Sequence, residues 1–178
     1  GSILNCGGHA YDLQHWREIL SEVHAVQGPA PSIPVLYGID AIHGANYVLE
    51  GLLFPQPLAQ AASFDAELLR RVAEATAYTT RASGVPWNFS PVLDVARQPL
   101  WSRVFETYGE DPLVVSRLGS ACIQGYQGSN PAGKHRVAAT LKHFLGYSMP
   151  WTGKDRTPAY IPERLLREIF LPPFKAGI

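Results

Sequence analysis

The sequence predicts an α/β fold on a parallel sheet, about four of the eight strand–helix units of a (β/α)8 TIM-type barrel. Three observations carry this reading. Short apolar runs alternate with stretches of helical periodicity four times along the 178 residues, a pattern that right-handed crossovers turn into a parallel sheet. One run, "IPVLYGID" (33–40), shows no polar alternation, as a strand buried on both faces requires. No glycine-rich phosphate fingerprint follows the first run, which disfavours a dinucleotide fold. A whole barrel needs eight units and typically about 250 residues, so four units with long loops correspond to half of one.

The elements follow in order. "GSIL" (1–4) is short and apolar and runs into "NCGG", a strand entering a loop. Leu13, Trp16, Ile19, Leu20 and Val23 recur at helical spacing, and Gly28 marks a stop. After the strand at 33–40, "AIHGANYVLEGLLFPQP" (41–57) reads as a long polar and glycine-rich loop. A second helix is predicted from the Asp65 cap to Gly84. "VPWNFSPVLDV" (85–95) is extended and "ARQPLWSRVFETYGE" (96–110) is a loop. Asp111-Pro112 opens a third helix that reaches about Gln127 before Gly128. "RVAATLKHF" (136–144) is the fourth strand. The fourth helix starts after Pro162, and Pro172-Pro173 disturb its end.

Composition removes several function classes. Fifteen basic residues balance fifteen acidic ones, so neither a nucleic-acid footprint nor a polybasic membrane tether is present. No apolar run approaches the roughly 18–20 residues of a membrane helix. Cys6 and Cys122 are far apart without CxxC spacing, which fits two buried thiols better than a metal or redox pair and leaves the compartment undecided. Neither end reads as a natural terminus, so an excerpt of a longer protein is expected.

The polar residues gather where strands end. Asp40 and His43 follow strand two, Asp94, Arg97 and Arg103 follow strand three, and Lys142 and His143 end strand four. In a parallel barrel those ends open onto one face, where active sites are built. Each residue also has a purely structural reading. Asp40 could cap its loop, His43 could be a satisfied loop histidine, Asp94 could pair with Arg97 and Arg103 with Glu106. Lys142 is harder to explain that way, because a buried ammonium needs a partner. Three chemistries fit: a Schiff base on Lys142, a metal site, for which no HxH or HExxH spacing exists, and the gripping of sugar hydroxyls. Side chains alternate along a strand, so Lys142 and His143 can share a pocket only if the strand ends at about Lys142 and the chain turns there.

Six motifs occur in order: "YGIDAIHGA", "FPQPLAQAASFDAELL", "NFSPVLDVARQPLWSRVFETYGEDP", "GYQG", "VAATLKHFLGY" and "IPERLLREIFLPPFKAGI". Together they resemble the N-terminal barrel domain of family 3 glycoside hydrolases, the β-glucosidase group, across residues 1–178. The resemblance implies that Asp40, Arg103, Lys142 and His143 bind the hydroxyls of the terminal sugar. It implies that Glu106 and "YGED" are scaffold. The family usually places Gly between the Trp and the Arg; here Ser102 stands there. Amino-sugar members usually read "KHFPGHG", whereas "KHFLGYSMPWTGKDR" has no later histidine, which favours the glucosidase branch.

The resemblance implies a retaining mechanism with two carboxyl groups. The nucleophilic aspartate usually follows in a Ser-Asp-Trp context and the acid/base glutamate in a second domain. Neither occurs here, and Asp94 and Asp155 do not take their place. The chain is therefore expected to hold a substrate-gripping half-site, with the remainder of its barrel and a second domain as partners, a β-glucoside or oligosaccharide as substrate, and no cofactor or metal. Export is expected for an enzyme of this class. A sugar-binding module that cannot cut, or a Schiff-base lyase using Lys142, are the alternatives. The sequon at Asn88 falls on an inner strand and is expected to stay unglycosylated.

Overall fold

The computed structural model describes residues 1–6, 8–26, 28 and 33–178. Strand β1 (Ser2–Leu4), helix α1 (Leu13–Val26), strand β2 (Leu36–Ile39), helix α2 (Pro57–Ala61), helix α3 (Ala66–Ala82), strand β3 (Trp87–Asn88) and helix α4 (Pro112–Gln127) follow in order. A 3-10 turn at Val104–Glu106 lies between β3 and α4. The chain closes with a composite helix: α5 (Glu163–Leu165), a π-helical segment (Leu166–Phe170) and α6 (Leu171–Ala176).

The sheet is parallel with order β1-β2-β3. Ile3 pairs with Tyr37, and Gly38 with Trp87. The fourth predicted strand does not extend this ladder as a regular strand. It touches the sheet through two parallel bridges, Trp87 to Ala138 and Val92 to Lys142. Between those bridges five steps on one side face four on the other, so the chain after Asn88 carries one extra residue, as in a bulge. Pro91, which has no N–H to give, falls in that stretch. The backbone still binds across it: Asn88 N–H to the Ala138 carbonyl at 2.9 Å, Thr140 N–H to Ser90 at 3.0 Å and Leu93 N–H to Lys142 at 2.6 Å.

Helix starts and stops follow the local signals. Asp65 accepts from the Leu68 N–H, and Asp111 accepts from the N–H groups of Leu113 and Val114. Gly84 leaves α3 at φ +95°, a conformation that suits glycine. Helix α2 opens on the last residue of the predicted 41–57 loop and runs past it, a short helix that the sequence signals do not announce. Its Pro57 sits in the first helical turn, where a missing N–H costs nothing. The last helix is disturbed where Pro172 and Pro173 withhold the donors that Glu168 and Ile169 need. The π segment lies just before them, and the Leu171 N–H binds Leu166, five residues back.

Two apolar clusters hold the layers. Leu69, Ala73 and Ala77 of α3 pack with Val115, Leu118 and Cys122 of α4, with Leu93, Val95 and Val137 near the sheet, and with Phe170 and Phe174 of the last helix. Helices α3 and α4 cross closely at Gly125, where a Cβ would lie 2.3 Å from the Arg70 carbonyl oxygen. The second cluster sets Trp16 and Leu20 of α1 against Tyr37 and Ile39 of β2. Cys122 is buried, but Cys6 is half-buried, its thiol donating to the His9 carbonyl at 2.9 Å.

Asn88 is 0% exposed. Its Oδ1 accepts the Ala41 N–H at 2.9 Å and its Nδ2 donates to the Ala41 carbonyl at 3.0 Å. The side chain thus continues the β2–β3 pairing one residue past Asp40, and the sequon asparagine is a structural latch.

Candidate active site

The strand ends converge as their order demands. Asn5 follows β1, Asp40 follows β2, and Asp94 lies two residues past the Val92 bridge. The fourth segment makes its last bridge at Lys142 and turns at His143, so both side chains line one open cavity of about 810 Å³. The peptide bond between them is cis. Arg103 reaches the same cavity from the loop before the 3-10 turn.

Each of these side chains is held from inside the chain. Asp40 accepts from Lys142 Nζ through Oδ1 and from Asn5 Nδ2 through Oδ2 at 2.6 Å. Asn5 also receives the Asp40 N–H at 2.9 Å on its Oδ1. It sits at φ +53°, a region asparagine tolerates, and its carbonyl accepts the Tyr37 hydroxyl at 2.6 Å. One asparagine therefore fixes both the backbone and the carboxylate of Asp40.

His143 gives its Nδ1–H to Asp94 Oδ2 at 2.7 Å, and its backbone N–H binds the same oxygen at 3.1 Å. That bond fixes the tautomer and leaves Nε2 for a ligand. Asp94 is 2% exposed, and its Oδ1 has no hydrogen-bond partner among the described residues. The pairing of Asp94 with Arg97 does not form. Arg97 is exposed and lines a separate apolar groove with Tyr160, Leu165 and Phe170.

Arg103 forks onto Glu106, with Nε and Nη2 each 2.7 Å from a carboxylate oxygen. That bidentate pair, the largest cause, pushes the guanidinium pKa up. Glu106 is thus the anchor of Arg103. The free Nη1 donates to the Tyr147 hydroxyl at 3.4 Å, and the Tyr147 hydroxyl donates to Asp155 Oδ1 at 2.6 Å. Trp101 Nε1 reaches that same oxygen at 2.8 Å. Ser102 is exposed and is not at positive φ, so this backbone does not require glycine there.

The bonds from Tyr147 first and Trp101 second hold the Asp155 carboxyl below its ordinary pKa. A carboxyl whose folded pKa is depressed stabilises the fold above its unfolded value, near 3.9, and loses that contribution as pH falls through the folded value. Acidification through and below about pH 4 is therefore expected to narrow the gap in melting temperature between wild type and Asp155→Asn. A gap that stays constant down to about pH 2.5, well below the ordinary carboxyl range, would contradict it.

His43, the remaining candidate, is a satisfied loop histidine, its Nδ1 2.9 Å from the Phe54 carbonyl oxygen. Sequence reasoning missed Asn5 and Tyr147. Asn5 carried the same signal as the others, a polar residue directly after an apolar strand. Tyr147 carried none, because Arg103 lies on another loop and Asp155 lies eight residues on in the same irregular segment, where no periodicity relates the two. Among the described residues, no three His, Cys, Asp or Glu side chains are grouped to hold a metal ion.

The profile of the glycosyl hydrolase family 3 N terminal domain matches residues 1–178. The chain is 44% identical over its whole length to a "Lysosomal beta glucosidase" of Dictyostelium discoideum, covering 24% of that protein. It is 40% identical over 82% of its length to a "Beta-xylosidase" of Formosa agariphila, covering 21% of that protein. Among solved structures it superposes on a beta-glucosidase from Listeria innocua (TM-score 0.86, 34% identity, 100% of this chain and 24% of that one). It likewise superposes on an exo-1,3/1,4-beta-glucanase from a Pseudoalteromonas species (TM-score 0.90, 31% identity, 99% and 24%). The chain spans about a quarter or less of the length of these relatives.

Proposed function

The chain belongs to the N-terminal domain family of glycosyl hydrolase family 3, and from that premise we propose that its protein removes terminal β-D-glucosyl residues by retaining double displacement. The observation that carries the reading is the meeting of Asp40, Arg103, Lys142 and His143, far apart in sequence, in one cavity at the strand ends. Asp40 supplies acceptors, Arg103 and Lys142 supply donors, and His143 offers Nε2. This set suits the hydroxyls of a neutral sugar.

A retaining glycosidase needs two carboxyl groups about 5–5.5 Å apart, one attacking the sugar and one serving as acid and base. The carboxylates at this cavity are all engaged: Asp40 by Lys142 and Asn5, Glu106 by Arg103, Asp155 by Tyr147 and Trp101. The reacting pair is therefore assigned to parts of the protein outside these 178 residues, namely the remaining strand–helix units of the (β/α)8 barrel and a second domain. Residues 1–178 are then an incomplete N-terminal domain that grips the substrate. Coverage of 24% of the Dictyostelium relative supports this division.

Glucose is preferred over xylose because the 44% identical relative and the Listeria structures carry β-glucosidase names. Relatives named lysosomal and periplasmic support export. No helix among the described residues is long and apolar enough to cross a membrane. The engaged carboxylates also favour a second reading for the isolated chain, a module that binds sugar without cutting it. A Schiff base on Lys142 fits poorly, since Asp40 already occupies its ammonium.

The test is hydrolysis of 4-nitrophenyl β-D-glucoside by the full-length protein, followed by proton NMR. β-Glucose is expected to appear first. Initial release of α-glucose, or no hydrolysis of any aryl β-glycoside, would overturn the proposal.

A further inference from the structure

We propose that Tyr147 is a further substrate-binding residue, an acceptor for one sugar hydroxyl, and that Asp155 is the positioning residue that holds it in this role. The inference rests on the glycosidase reading above and adds a contact to it. Arg103 and Lys142 can only donate. A sugar hydroxyl that accepts from one of them must still place its own hydrogen. Asp40 offers acceptors beside Lys142, but the fork of Arg103 lies against Glu106, whose two oxygens it already occupies.

Tyr147 fills that gap. A phenol has one hydrogen to give, and Tyr147 gives it to Asp155 Oδ1 at 2.6 Å. Ionised Asp155 accepts only, so it dictates the direction of that bond, and the indole N–H of Trp101 pins the same oxygen at 2.8 Å. The low pKa of the Asp155 carboxyl agrees with this role. The phenol oxygen is then left as an acceptor, facing Arg103 Nη1 across 3.4 Å. That contact lies beyond the usual range of about 2.7–3.2 Å, so a ligand hydroxyl can accept from Nη1 and donate to the phenol oxygen in one step. The ring is fixed edge-on to Trp101 at 5.3 Å and to His143 at 4.7 Å between centroids. Tyr147 and Asp155 both line the cavity.

The test uses the full-length enzyme with 4-nitrophenyl β-D-glucoside and its four monodeoxy analogues. Tyr147→Phe keeps the ring and removes only the hydroxyl. It is expected to raise KM about tenfold, the size of one hydrogen bond lost at a desolvated site. Asp155→Ala is expected to do the same by releasing the phenol hydrogen, and the double variant is expected to be no worse than either single one. For one monodeoxy glucoside, the one lacking the hydroxyl that Tyr147 holds, Tyr147→Phe should change nothing. A purely structural role would not produce that selective insensitivity. An active wild type with an unaltered Tyr147→Phe variant, multiplying losses in the double variant, or equal sensitivity toward all four analogues would overturn this inference alone. A wild type that cuts no aryl β-glycoside would remove the glycosidase reading and this inference together.

Discussion

Asp40→Ala in the full-length enzyme is expected to lower kcat/KM for aryl β-glucosides by on the order of a thousandfold. Asp40 supplies the acceptors beside Lys142, and its loss removes two charge-assisted contacts at once. The Lys142 side chain is only 12% exposed, so its ammonium would be left without a carboxylate in a poorly solvated place. A hydrogen bond between a substrate hydroxyl and a charged group is worth about 1.5–3 kcal/mol, a carboxylate can accept two such bonds, and each ~1.4 kcal/mol of transition-state stabilisation is tenfold in rate. Those figures bracket a loss of roughly a hundredfold to ten-thousandfold. Asp40→Asn keeps one acceptor and the shape, and should fall between wild type and the alanine variant. A folded Asp40→Ala enzyme, judged by circular dichroism, with less than about tenfold loss would refute the role assigned to this residue.

The second large effect concerns stability. Asn88→Ala is expected to destabilise the protein by about 2–6 kcal/mol, because it strands the N–H and the carbonyl of Ala41 together. Each buried, unsatisfied group costs about 1–3 kcal/mol, and complete burial of Asn88 keeps water from replacing the side chain. The measurement is urea unfolding with a common m-value. A change below about 1 kcal/mol would mean that the β2–β3 end is held by other contacts. Ala41 adjoins Asp40, so a loosened latch should also raise KM, coupling fold and site through one peptide unit.

Much of this molecule is legible because its signals are local. The Asp65 and Asp111 caps act on N–H groups two or three residues away, and Gly84 and Gly128 end helices α3 and α4 within one turn. Lys142 was informative for a similar reason: a charge ending an apolar run demands a partner. The partner itself was not legible, since Asp40 lies 102 residues away. The same distance problem hid the Asp94–His143 bond and made the nearby Arg97 seem the natural mate of Asp94. The fourth strand was overestimated because Val137, Ala138, Ala139 and Leu141 have strand-like character whether or not the facing segment can pair with them. Pro91 and the extra residue opposite them decide the matter, and that belongs to register, which hydrophobic pattern alone does not give.

The pairing of Lys142 with Asp40 and of Arg103 with Glu106 also bears on how a ligand arrives. Each cation has its counter-charge within bonding distance, and formal charge over the whole chain sums to zero. At a distance beyond the Debye length of about 8–10 Å such pairs cancel, so little field reaches out to draw or repel a solute. On the proposed reading the ligand is a neutral sugar, whose encounter is expected to be plain diffusion, indifferent to ionic strength. Selection begins only at contact, where hydroxyls meet donors and acceptors already set in place.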